Sequence, residues 1–184
     1  MDGTFIHPFD SHNFIAGHAT MGLEILEDVP DVAAVIGAIG GGGLITGVAS
    51  AIKALAPAVS VWAAEPETAA PAALSFARGA PQVFPDWKAS FVDGAGGHSV
   101  FPRMWERIHP LVQGSLVVTL EETRQAMRLM AEKARVIAEG AGALALAAAL
   151  SGRAGPGPIV AIVSGGNVDL TTYGKLVLPV PVSA

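Results

Sequence analysis

The amino-acid sequence predicts an α/β fold: a mainly parallel, doubly wound sheet with helices on both faces. Three observations carry this. Residues 32–39, 59–64 and 159–163 are continuous apolar runs rather than alternating ones, the pattern of parallel strands covered on both faces. A helix-length segment rich in Ala and Leu, residues 44–55, joins the first two runs and stops at Ala56-Pro57, which makes a βαβ unit. The first run also ends in Gly40-Gly41-Gly42-Gly43 directly before that helix, and the ends of parallel strands are where such sheets receive ligands.

The later elements follow in order. Residues 115–120 are expected to form a shorter strand. A long helix should follow it, because Met127, Met130, Ala131, Ala134 and Ile137 keep helical spacing. Thr119 or Leu120 with Glu121 and Glu122 gives that helix an acidic first turn, which suits the helix dipole. Residues 141–150 are apolar all round and end at Ser151-Gly152, as expected of a helix buried between layers. Gly- and Pro-rich residues 79–85 and 93–97 read as loops around a short strand near residues 90–92. The tail from Lys175, with Pro179 and Pro181, reads as an edge strand or an extended end. No repeat or linker divides the chain, so residues 1–184 are expected to form a single α/β domain.

Composition removes whole classes of function. With 51% hydrophobic and 15% charged residues, the chain is too apolar for disorder and long enough to bury a core. The net charge is −5, and no basic run offers a footprint for nucleic acid. No apolar stretch approaches the roughly 20 residues that cross a bilayer, and no basic segment precedes an apolar one at the N-terminus. A cytoplasmic protein without membrane or nucleic-acid partners is therefore expected. The sequence has no cysteine, which excludes disulfides, thiolate catalysis and Cys-based metal centres.

Three constellations could carry chemistry. Glycines let a backbone approach an anion, and a helix N-terminus offers unpaired N–H groups, so Gly40, Gly41, Gly42, Gly43 and Leu44 are expected to cradle a phosphate. Valine at position 41 or 42 is then expected to abolish phosphate-ester binding while the fold survives. The alternative is a tight strand-to-helix turn, for which one glycine suffices. The loop lacks the Gly-Lys-Ser/Thr ending of a nucleotide-binding P-loop. Glu65, at the end of the next strand, suits a dinucleotide site, but no frame through residues 40–47 puts glycines at the first, third and sixth positions. The second constellation, Ser164-Gly165-Gly166-Asn167, ends the run 159–163 and can face the same cavity from a neighbouring strand end; an ordinary turn hydroxyl is the plainer reading. The third is Glu139-Gly140-Ala141-Gly142, an acid between two helices that could also be a solvated first-turn acid.

The histidines suggest little chemistry. His7, Asp10 and His12 have no further ligand at metal spacing and read as polar groups of a loop. His18 follows Gly17 at the opening of a helix, where capping or packing is expected. No Gly-x-Ser-x-Gly elbow occurs, so a serine-hydrolase triad has no support.

The motifs taken in order resemble the serine/threonine dehydratases, a family that includes serine racemase. The matching blocks are Phe5-Ile6-His7-Pro8-Phe9-Asp10, then Ile15-Ala16-Gly17-His18-Ala19-Thr20-Met21-Gly22-Leu23-Glu24-Ile25, Gly40-Gly41-Gly42-Gly43-Leu44, Ala64-Glu65-Pro66, Ala138-Glu139-Gly140-Ala141-Gly142-Ala143, and Ser164-Gly165-Gly166-Asn167-Val168-Asp169. The resemblance implies the larger domain of the tryptophan synthase β-like fold and the cofactor pyridoxal 5'-phosphate. It implies the glycine loop on the cofactor phosphate, Ser164 with Gly165 at the pyridine nitrogen, and Glu139 beside the ring. It also implies a divalent or monovalent cation at Glu65 and Ala69, although Pro71 stands where racemase-like members have an acid.

By the same resemblance the Schiff-base lysine and the substrate-carboxylate loop belong before His7-Pro8-Phe9-Asp10. Lys53, Lys88, Lys133 and Lys175 match no nucleophile motif, so no catalytic residue is assigned in this chain. The implied partners are a hydroxy-amino acid, a complementary N-terminal segment and other copies of the chain in a homo-oligomer. Alone, the chain is expected to be inactive. Two further readings stand beside the ammonia-lyase: a cysteine-synthase-like β-replacement enzyme, and a non-catalytic phosphate-ligand-binding domain or partner subunit.

Overall fold

A computed structural model describes residues 3–178. Its centre is a four-stranded parallel sheet with β1 (Ala34–Ala38), β2 (Ser60–Pro66), β3 (Gly114–Val118) and β4 (Ile159–Ala161). The spatial order is β3-β2-β1-β4, with β1 paired to β2 at Ala34↔Ser60 and to β4 at Ala34↔Ile159. The chain therefore steps outward from β1 to β3 and then returns to place β4 on the other side of β1. That reversal makes a switch point between β1 and β4, where adjacent loops part and leave a crevice.

Alternate residues of the strands feed two cores. Ala34, Ile36, Ala38, Leu116 and Val118 join one cluster, with α5 (Leu120–Leu129), α6 (Gly140–Leu150) and α7 (Leu170–Val177). Val35, Ile39, Val61 and Ala63 join the other, with α1 (His12–Asp28), α2 (Gly43–Leu55) and α4 (Pro102–Ile108). Both faces are covered, as continuous apolar strands require. On the second face α1 crosses α2 through glycines. A methyl on Gly22 would meet Ala51 Cβ at 2.9 Å, and one on Gly47 would run into the Ile15 carbonyl. A side chain at either position would push α1 away from α2.

Local chemistry explains the helix boundaries. α3 (Pro71–Arg78) opens on a proline, whose missing N–H is harmless at a first turn, and closes on Gly79 at φ 68°. Thr119 and Glu122 form a reciprocal capping box at α5. Asp169 accepts from the N–H groups of Thr171 and Thr172 at α7, and Tyr173 Oη donates to the Met127 carbonyl, tying α7 to α5.

Several expectations change. The helix expected to reach Ile137 ends at Ala134, after a wider turn at Met130–Ala134. Arg135 then takes φ 60°, and its guanidinium donates to the Glu132 carbonyl. Ala134 and Ile137, assigned to its buried stripe, are exposed. The strand expected near residues 90–92 is absent; the local pairing is an isolated antiparallel bridge between Val83 and Ser99. Lys175 lies in the last turn of α7, not in an extended tail; the remainder of that expected tail, residues 179–184, lies outside the described residues. Residues 7–11 keep the expected loop, which His7 closes by accepting from the Phe9 and Asp10 N–H groups, whereas His12 opens α1 and His18 lies in its second turn. Among the described residues no helix is long and apolar enough to cross a membrane.

Candidate functional site

The loops that leave β1 and β4 meet across the switch point. They line one cavity of about 300 Å³, whose walls include Gly40, Gly41, Gly42, Gly43, Leu44, Glu139 and Ser164. That is the lower end of the size range for small-molecule sites.

Backbone donors form one end of it. Gly42 precedes α2 at φ 93°, a left-handed conformation that favours glycine. The first N–H in this turn with a partner is that of Thr46, which donates to the Gly42 carbonyl; Thr46 Oγ1 does the same at 2.6 Å. Among the described residues nothing accepts from the N–H groups of residues 40–45. Unpartnered donors at a helix N-terminus, with the helix dipole behind them, suit a phosphate.

The glycines also answer a packing need. A methyl on Gly41 would enter the Phe9 ring, and one on Gly42 would lie 2.6 Å from Ile108 Cδ1. Valine at 41 or 42 would thus disturb packing as well as anion contact, contrary to the expectation that the fold would be indifferent. Gly40 is the cleaner probe, because a methyl there meets only the Gly94 carbonyl at 3.3 Å and Ala95 Cα at 3.6 Å.

Glu139 and Ser164 supply the rest. Glu139 occupies the position before α6, yet its carboxylate does not cap that helix. It points instead toward Gly94 and Gly165, where added methyls would lie 3.3 and 2.5 Å from Oε1. The early end of the preceding helix makes this possible. Residues 136–139 run on without helix, so the Glu139 N–H donates to the Gly165 carbonyl at 3.1 Å. Gly142 lies so close to Gly165 that a methyl would enter its carbonyl. Ser164 is exposed, and its hydroxyl makes no hydrogen bond with the described residues. It is therefore free to meet a ligand, and the turn-hydroxyl reading gains no support.

The cavity suits pyridoxal phosphate: free N–H groups at one rim, a free hydroxyl and a carboxylate elsewhere, and small residues between. Ala38, Gly94 and Ala141 leave flat walls, and Pro8, Phe9, Phe14 and His18 complete the lining. Of these, only Ala141 belonged to a constellation that the sequence had singled out. Gly94 was visible only as part of a glycine-rich loop. His18 packs edge-on against Phe14 with ring centroids 4.6 Å apart, and burial lowers its pKa below the usual histidine value. The four lysines lie elsewhere: Lys53 Nζ donates to the Val59 carbonyl, and Lys88, Lys133 and Lys175 are exposed and absent from the lining.

The cation implied at Glu65 and Ala69 does not fit. Glu65 is 1% exposed, and both carboxylate oxygens are already engaged. Oε1 accepts from the Ala72 N–H, and Oε2 from the Ala73 N–H and Ser115 Oγ, all within 2.8 Å. Glu65 thus holds the first turn of α3. Burial nevertheless pushes its pKa up to about 7, against the lowering effect of those three donors. Ala69 donates its N–H to the Pro66 carbonyl and packs beside Gly96. Among the described residues no three His, Cys, Asp or Glu side chains gather as metal ligands. His7 Nδ1 instead accepts from the Asp10 N–H at 2.9 Å.

Comparison with known proteins agrees with this geometry. The family described as "Pyridoxal-phosphate dependent enzyme" matches residues 1–165. The chain is 38% identical over 174 residues to the L-threonine ammonia-lyase of Thermotoga maritima, covering 94% of this chain and 43% of that protein. Maize serine racemase superposes with a TM-score of 0.85 at 38% identity, covering 92% of this chain and 54% of that one. Threonine deaminase isoform 2 of Solanum lycopersicum superposes with a TM-score of 0.86 at 32% identity, covering 94% and 51%. The chain spans about half the length of these relatives.

Proposed function

The chain belongs to the pyridoxal-phosphate-dependent enzyme family, and from that premise we propose that it forms the phosphate-and-ring side of a threonine or serine ammonia-lyase. Such an enzyme eliminates water from a hydroxy-amino acid and releases a 2-oxo acid and ammonia. The carrying observation is the convergence of unpartnered N–H groups at residues 40–44, Ser164 and Glu139 on one cavity. When bound, the cofactor supplies the electron sink for the elimination. The glycine loop would hold its phosphate, and Ser164 would offer the pyridine nitrogen a neutral hydroxyl, which does not enforce ring protonation as a carboxylate would. Glu139, in the wall of the same cavity, would flank the ring. Small walls at Gly94 and Ala141 let the ring pack close and exclude water.

None of Lys53, Lys88, Lys133 and Lys175 lines the cavity, so the amine that bonds the cofactor comes from another segment in this reading. The amino-acid substrate, a complementary lysine-bearing segment, self-association and cytoplasmic residence all belong to the proposal. Borohydride reduction with cofactor tests it. The chain alone should give no reduced adduct at the four lysines and no 2-oxo acid. Addition of a relative's lysine-bearing segment should give both, with the adduct on that segment. A stoichiometric adduct on this chain, with 2-oxo acid release, would overturn the assignment.

A further inference from the structure

A short segment crosses the glycine loop and is fastened from the far side. The Phe9 ring fills the volume that a side chain at Gly41 would need, and the Phe9 backbone would lie 2.9 Å from a methyl on Gly43. The segment is closed on itself by His7 Nδ1, which accepts from the N–H groups of Phe9 and Asp10. Its outer anchor is Asp10, whose Oδ1 lies 2.6 Å from Nη1 of Arg107. These two side chains are only 18% and 19% exposed, whereas Arg103, 3.5 Å from the same oxygen, is 64% exposed. Arg107 sits on α4, and the same helix puts Ile108 and Met104 against Gly42. One helix therefore supports the glycine loop from below and holds the strap above it.

We propose that Arg107 is a positioning residue for phosphate binding: through Asp10 it holds Phe9 over residues 40–43 and so keeps their N–H groups convergent. The inference rests on reading those residues as the phosphate cup. Glycines have little conformational preference of their own, so the loop's shape must come from what packs against it. Phe9, with Gly40 and Gly41, lines both the cofactor cavity and a second, apolar cavity of about 240 Å³ that Ile39, Val100, Phe101 and Ile108 complete. Loss of the pin would let the ring swing into either space. A short, partly buried ion pair suits this task, because its 2.6 Å contact fixes where Asp10 sits more tightly than the longer, exposed contact with Arg103 does. The planar guanidinium fixes direction in a way an ammonium does not.

The test compares affinities for pyridoxal phosphate and for pyridoxal, which lacks the phosphate, alongside the thermal midpoint of each protein. Arg107→Ala and Asp10→Asn should weaken pyridoxal phosphate at least tenfold while pyridoxal changes less than twofold. Arg107→Lys should recover part of the loss, and Arg103→Ala should stay within twofold of the parent chain. Parent-like pyridoxal phosphate affinity in Arg107→Ala would overturn the pin and leave the cup intact. An equal fall for both ligands, tracking the thermal midpoint, would show a merely structural role and also overturn it. If the parent chain itself binds both ligands equally, the cup fails and the pin fails with it.

Discussion

Replacing Glu65 with glutamine should remove a pH dependence that this buried carboxyl imposes on stability. Its pKa is pushed from 4.5 to about 7 because burial outweighs the Ala72, Ala73 and Ser115 hydrogen bonds. A carboxyl whose folded pKa lies above its unfolded one binds its proton more tightly when folded. Its contribution is therefore complete below pH 4.5 and is lost as pH rises through about 7. At about 1.4 kcal/mol for each pH unit between the two values, the loss is roughly 3 kcal/mol. Glutamine cannot ionise, so Glu65→Gln should be flatter between pH 5 and 8, and the parent should lose ground to it as pH rises. His18 works in the opposite sense, since its lowered pKa removes stability as pH falls through 6.5. It is present in both proteins and cancels on subtraction. Urea unfolding of both at pH 5 and pH 8 reads the difference directly. Equal slopes, or a parent chain that gains on the variant as pH rises, would refute the burial argument.

Three further outcomes follow from packing and capping. Gly142→Ala drives a methyl into the Gly165 carbonyl and should cost about 1–3 kcal/mol in urea unfolding, with weaker cofactor binding as the Ser164 loop is displaced. Thr119→Ala removes the hydroxyl that accepts from the Glu122 N–H while leaving the Thr119 N–H bonded to Glu122 Oε2, and should lower stability by about 1 kcal/mol. Ile137→Ser should stay within about 0.5 kcal/mol of the parent, because Ile137 is 44% exposed; a loss of several kcal/mol would restore the longer helix.

The sheet and α2 were legible because their signals are local and agree: apolar strands, a glycine turn and a stop at Ala56-Pro57. The end of α5 was not. Residues 130–139 are good helix formers, and what stops them is tertiary, since the chain must run extended beneath Gly165 to aim Glu139 at the cavity. α4 did leave a signal, Pro102 at a first turn followed by Met104, Trp105 and Ile108 on one buried face, but its brevity hid it between loops. In the site, residues 40–43 could be read from strand-helix chemistry alone. Glu139 and Ser164 gained roles through resemblance, and the structure supplies the shared cavity. Phe9, His18 and Arg107 could not be found in sequence, because each acts through contacts between distant segments, such as Arg107 with Asp10.

The central claim is that the glycine loop and the Ser164 loop grip one cofactor from two strand ends. An amide-resolved NMR titration of the chain with pyridoxal phosphate tests it most directly. Saturable shifts are expected at the N–H groups of residues 40–45 and at 164–165, with inorganic phosphate moving the first set and not the second. Glycine-loop amides that stay still while resonances elsewhere titrate would contradict it.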